Sequence, residues 1–260
     1  MTDTVSNSDR ARSALRATDA AAQAAPVADG SVPQRPDPTV GFRRVATAIA
    51  LPLAIAAQVV TNTVYSVVTT SSGLDDLSGG AEALEFYRTF ATEMQVASVA
   101  SLIGSLLLVP GLLAALRVLR PSRPRLSLWA AVLMIAGYVC YFGVVTTNFL
   151  NVALATGGVD AAAALDEVQQ MPTAVPVFLL FVIGNIVGTA LLGLAVMLSR
   201  GAVPWFAGVL ILAWPVSHVI GLSVGSEWFE VAGGTLEVIG LAFIAVAALR
   251  MSNAEWVRRG

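Results

Sequence analysis

Six stretches of more than twenty mostly apolar residues dominate this chain, near 44–68, 96–117, 127–150, 175–198, 204–224 and 229–249. Crossing about 30 Å of hydrocarbon takes roughly 20 helical residues at 1.5 Å rise per residue, so each stretch is long enough. No water reaches that depth, and every backbone amide must be satisfied within its own segment, which selects the α-helix. The expected architecture is therefore all-α: a polytopic membrane protein with a six-helix transmembrane bundle over residues 41–250. Its first partner is the lipid bilayer itself.

The charge content agrees. Only 12% of residues are charged, about half of what an ordinary soluble domain of roughly 25% carries. The net charge of −2 and pI near 5.4 provide no basic surface, so no nucleic-acid partner is expected. One cysteine, Cys140, and one histidine, His218, exclude a disulfide framework and a multi-ligand metal site. No cofactor, metal or catalytic motif stands out. All 15 basic residues are arginine; with Ala/Val/Leu-rich spans this points to a GC-rich bacterial genome and a bacterial cytoplasmic membrane.

Residues 1–40 differ from the rest. They hold Pro26, Pro33, Pro36 and Pro38 and no aromatic residue, too little apolar surface to offset the entropy of ordering. A disordered cytoplasmic tail is expected there, and no apolar h-region makes it a signal peptide. Residues 251–260 form a short cytoplasmic C-terminal tail.

Arginine placement sets the orientation. Arg10, Arg12, Arg16, Arg35, Arg43 and Arg44 precede the first span, and Arg117, Arg120, Arg123 and Arg125 lie between the second and third. Arg200 lies between the fourth and fifth, and Arg250, Arg258 and Arg259 follow the sixth; Arg88 alone falls on the other side. The opposite loops carry Asp75, Asp76, Glu82, Glu85, Asp160, Asp166, Glu167 and Glu227. Arginine excess marks the cytoplasmic face, so both termini are expected inside. The two long outer loops, roughly 69–95 and 151–174, each pair a double glycine (Gly79-Gly80, Gly157-Gly158) with good helix formers. Short amphipathic helices at the outer interface are one reading, solvated connectors the other.

An internal repeat is suggested by matches at an offset of 80: Ile103/Ile183, Gly104/Gly184, Leu112/Leu192, Ala115/Ala195 and Arg120/Arg200. At an offset of 77, Val132/Val209, Leu133/Leu210, Ala136/Ala213 and Val139/Val216 also pair. Spans 2–3 and 4–5 would then be two parallel hairpins, although apolar helices match one another easily. The inner turn Arg200-Gly-Ala-Val-Pro-Trp-Phe-Ala-Gly, with a long acidic outer loop and an arginine-capped second span, resembles the bacterial multi-pass membrane proteins grouped as DUF4386. Over about 200 residues the resemblance implies a six- or seven-span bundle. It implies no activity, because that family has no agreed function.

Polar residues at membrane depth carry the functional argument, since each needs a partner or water. Glu237 lies about eight residues into the sixth span, roughly 12 Å below the outer boundary, and His218 roughly 9 Å below it on the fifth. Gln58 and Tyr141 fall at similar depth, and Asn185 nearer the midplane. Gln58, Asn62 and Tyr65 at i, i+4 and i+7 form one stripe; Glu230, Gly233, Gly234, Glu237 and Gly240 form another. Such stripes turn inward. One reading is an outward-facing cavity for a small polar or amphiphilic molecule or lipid, lined by Gln58, Asn62, Tyr141, Asn185, His218 and Glu237. Glu237 would receive a cation or a proton, and transport is an extension of binding. The other is structural: Glu237 hydrogen-bonds His218 or Gln58 and fixes packing. Two further classes stay open. One is a non-catalytic accessory subunit docking a protein partner or a second copy. The other is an intramembrane enzyme using Glu237 and His218.

Several features take plainer readings. Gly184 and Gly188 fit a close helix contact within the bundle. Pro52, Pro110 and Pro215 bend their helices, and Pro204 starts one. Trp129, Trp205 and Trp228 anchor the interfaces. Cys140 is inert, and Met171 packs.

Overall fold

The computed structural model describes residues 37–74, 79–172 and 175–260. Among them there are helices and no strand. Six are long and apolar enough to cross a membrane: α1 (Val40–Ser72), α3 (Ala91–Leu119), α4 (Pro124–Thr156), α6 (Val175–Leu198), α7 (Trp205–Val224) and α8 (Trp228–Arg250). Three short helices accompany them: α2 (Gly80–Thr89), α5 (Ala162–Gln170) and α9 (Asn253–Arg258). Helix α6 is described from Val175, beside the undescribed residues 173–174, to Leu198. The fifth starts at Trp205, with Pro204 in the capping position. The expected tail over 1–40 lies outside the described residues, except for its last four.

The helices pack in the order α1, α3, α4, α6, α7, α8 and back to α1, with α3 also meeting α8 across the interior. Residues from Thr39 onward form one compact unit. Small residues allow the close approaches. A Cβ on Gly184 would stand 2.7 Å from Gly137 Cα, and one on Gly188 2.9 Å from Met134 N. The Gly184/Gly188 pair therefore seats α6 on α4 inside the bundle. Outside the ring, Phe42, Leu106, Trp129, Val139 and Leu222 are exposed, the pattern of a bundle whose outer surface meets lipid.

One end of the bundle gathers arginines. Arg123 Nε donates to Leu198 O at 2.9 Å, and Arg44 donates to Leu249 O and, through Nε at 3.2 Å, to Asn253 Oδ1. These carbonyls end α6 and α8, where the helix leaves acceptors unpaired. Beyond them the chain is not a loose tail. Helix α9 is capped by Ser252, which accepts from Glu255 N. Its Trp256 is buried, with the Arg117 guanidinium 4.5 Å from the ring centroid and Arg117 Nη1 donating to Trp256 O at 2.7 Å. This is called the arginine end below.

The opposite, acidic end is extended. Helices α1 and α4 have 33 residues each, roughly 50 Å at 1.5 Å per residue, longer than the hydrocarbon requires. Their ends receive α2 in a second core of Val68, Leu84, Phe86, Tyr87, Met94 and Val152. The loop between α1 and α3 thus holds an amphipathic helix: Phe86 is fully enclosed and Tyr87 OH donates to Asn148 Oδ1 at 3.0 Å, while Glu85 and Arg88 face outward from the core. Helix α5 reaches it through Gly80 N, which donates to Asp166 Oδ1 at 2.7 Å.

Candidate functional site

Between these ends the ring interior changes character. In the arginine half Leu51, Leu108, Leu112, Met134, Leu192, Ile211, Leu241 and Ile244 fill it. In the acidic half a cavity of about 690 Å³ is left among α1, α4, α6, α7 and α8. All six expected site residues, Gln58, Asn62, Tyr141, Asn185, His218 and Glu237, line it. The structure adds Tyr138, Phe178, Phe181 and Trp214 to the walls, and Thr69, Thr70, Ser226, Glu227 and Glu230 toward the acidic end.

Helix α1 contributes Gln58 and Asn62 from its inward stripe. The next residue of that stripe, Tyr65, leaves the site: Asn148 Nδ2 donates to its hydroxyl at 3.2 Å, and its ring stacks near Phe86 at the acidic end. Gln58 is anchored to α3, with Nε2 donating to Ser101 O at 3.1 Å. Ser101 Oγ also meets Thr61 Oγ1 at 2.8 Å and Tyr141 OH at 3.1 Å. This chain of polar groups ties α1, α3 and α4 together behind the cavity wall and fixes the Tyr141 ring. That ring stacks on Phe181, with centroids 4.4 Å apart, and Phe178 meets Phe181 edge-on at 6.1 Å. Tyr138 and Asn185, both buried, belong to the deepest layer of the walls.

His218 stacks on Trp214 with centroids 5.0 Å apart. Its Nδ1 lies 2.7 Å from Glu230 Oε1, an ion-pair distance, though without hydrogen-bond alignment. The tight turn between α7 and α8 brings them together. Gly225 at φ 66° caps α7 and donates to Gly221 O, as does Ser226 N, a conformation that favours glycine. The partner of His218 is thus Glu230, one of the acids of the α8 stripe, and not Glu237.

Glu237 stands nine residues into α8, roughly 14 Å along its axis. It is 2% exposed, and its Oε1 has no hydrogen-bond partner. Neither group expected to hold it does so: His218 is beside Glu230, and the Gln58 amide donates to Ser101. A buried carboxyl oxygen that no protein group satisfies is costly, about 1–3 kcal/mol or more. The cavity gives a partner its way in.

Three carboxylates, Glu227, Glu230 and Glu237, line the cavity, and no arginine does. A second cavity of about 450 Å³ at the arginine end has the opposite character, with Arg117, Arg120, Arg125 and Arg259 in its walls. Among the described residues no three His, Cys, Asp or Glu side chains converge as metal ligands. Cys140 is a free, half-buried thiol. No family model matches the chain, and no curated protein or solved structure matches it.

Proposed function

We propose that this protein is an integral membrane protein that binds a small polar or amphiphilic molecule, or a lipid, in the cavity at its acidic end. The observation that carries the reading is Glu237, buried at the cavity wall with a carboxyl oxygen that no protein group satisfies. A buried polar group that only fixes packing is normally hydrogen-bonded; the hydroxyls of Ser66, Ser98 and Thr189 also lack a partner, but Glu237 is the acid among these groups that lines the cavity. The reading is binding and not catalysis, since His218 is engaged by Glu230 and no base stands paired with Glu237. Transport needs in addition a path through the arginine half, which Leu51, Leu112, Ile211 and Leu241 fill.

The arginine end is assigned to the cytoplasm of a bacterial cell by the excess of arginine there, so both termini lie inside and the cavity opens outward. The pairing of α3–α4 with α6–α7 as a parallel repeat gains support from Gly104 and Gly184. Each glycine seats its helix on the one before it in the ring, Gly104 against Ala54 and Gln58 of α1, Gly184 against Gly137 of α4. The DUF4386 resemblance, carried by the Arg200–Gly208 turn and the loop plan, is compatible with this reading and adds no activity to it.

Native mass spectrometry of the purified chain beside its Glu237→Gln variant tests the proposal. A defined adduct on the wild type, lost from the variant, is expected. The same bare mass for both, from membranes and without delipidation, contradicts it.

A further inference from the structure

The cavity walls differ from one another, and the difference specifies a ligand. In ring order α4 and α6 stand opposite α8 and α1. On the first side lie the aromatic rings of Tyr141, Phe178 and Phe181 together with Tyr138 and Asn185; on the second lie Glu237, Gln58 and Asn62. We infer that the ligand is a monovalent organic cation of the protonated-amine class, with its ammonium group at Glu237 and an apolar, ring-bearing body against the Tyr141–Phe181 stack.

Charge sets the sign. Glu230 and Glu237 line the cavity, no arginine stands among its described walls, and the one histidine there is beside Glu230. An anion would enter a region lined by acidic groups, and a molecule without an N–H or O–H would leave Glu237 Oε1 without a donor. Hydrogen bonding sets the head group. Glu237 Oε1 lacks a donor, and an ammonium N–H supplies one, whereas a quaternary ammonium has none to give. The same ion pair forms if the proton arrives on the carboxyl and passes along the hydrogen bond to a neutral amine. The opposite wall sets the body. Stacked rings with centroids 4.4 Å apart offer an apolar face that also attracts cations, and about 690 Å³ lies within the range of pockets that hold drug-sized molecules.

This inference rests on the cavity being a binding site, and the experiment separates the two. The full chain in nanodiscs is titrated with four probes that share one body: 4-phenylbutylamine, its N,N,N-trimethylammonium analogue, 4-phenylbutan-1-ol and 4-phenylbutyrate. Binding is read by calorimetry and by quenching of tryptophan fluorescence, with empty nanodiscs as the blank for partitioning. The amine is expected to bind about tenfold or more tightly than the alcohol, as one charge-assisted hydrogen bond provides. The trimethylammonium analogue is weaker than the amine, and the carboxylate does not saturate. In Glu237→Gln the amine falls to the affinity of the alcohol while the alcohol is unchanged. Alcohol or carboxylate binding as tightly as the amine overturns the inference and leaves the cavity standing, as does a trimethylammonium analogue that equals the amine. If none of the four saturates, both are overturned. The wild-type series decides the matter by itself should the variant fail to fold.

Discussion

The two halves of the ring are built from the same six helices and spend their interiors differently. On α8 the acidic half presents Gly233, Gly234 and Glu237 inward, and the arginine half presents Leu241, Ile244 and Ala248. On α1 the corresponding change runs from Gln58 and Thr61 to Ala48, Leu51 and Ile55. One half is packed like any protein core; the other keeps a polar hollow with an unsatisfied carboxyl in it. Leaving a hollow forfeits dispersion contacts, and burying Glu237 costs more still. Stability alone gives no reason for either, which is the contrast on which the proposed binding role rests.

The sharpest way to break this contrast is to ask which half faces out. In a Cys140→Ala background, single cysteines at Val159, exposed in the loop after α4, and at Ala254, exposed on α9, report the two ends. A membrane-impermeant maleimide applied to intact cells is expected to label Val159→Cys fully and Ala254→Cys only after lysis. The reverse pattern would place the cavity on the cytoplasmic side.

A smaller effect separates the halves energetically. Leu241→Ala removes a fully buried side chain from the packed half and is expected to destabilise by about 2–5 kcal/mol, seen as a lower midpoint in denaturation from detergent. That loss without any change in ligand binding would fit a purely structural core; loss of binding at unchanged stability would not.

The smallest effect has the opposite sign. Glu237→Leu, four residues away on the same helix, replaces an unpartnered carboxyl with an apolar group of similar volume. Such exchanges are neutral or stabilising, by up to about 1–3 kcal/mol. The variant is therefore expected to melt no earlier than the wild type while losing its bound molecule. Marked destabilisation would mean that Glu237 holds the bundle together after all.

How much of this could be read in advance depended on whether the cause was local. The spans were legible because length and hydropathy act within one segment, and six such helices are found. The end of α4 beyond residue 150 was not, because Val152 and Ala155 pack into a core shared with Phe86 and Tyr87 of α2, which lie far from them in sequence. Inward stripes pointed to Gln58, Asn62 and Glu237, and depth in the membrane to Tyr141, Asn185 and His218, all of which line the cavity. Tyr65, which follows Gln58 and Asn62 in phase, also turns inward but meets Asn148 and Phe86 instead of the cavity. Pairing across helices was out of reach. His218 and Glu230 meet through the Gly225 turn, a matter of relative height that the chain's periodicity does not encode. The aromatic wall carried one faint signal, Tyr138 and Tyr141 at i, i+3 with Phe178 and Phe181 at the same spacing on α6. Trp256 lies in too short a segment to be distinguished from a tail.

The most direct test is an experimental structure of the protein in lipid nanodiscs prepared from its own membranes. The account predicts ordered non-protein density within hydrogen-bonding reach of Glu237 Oε1, extending toward the Tyr141 and Phe181 rings, with His218 still beside Glu230. A cavity closed by inward collapse, with Glu237 hydrogen-bonded to His218 or Gln58, would contradict it.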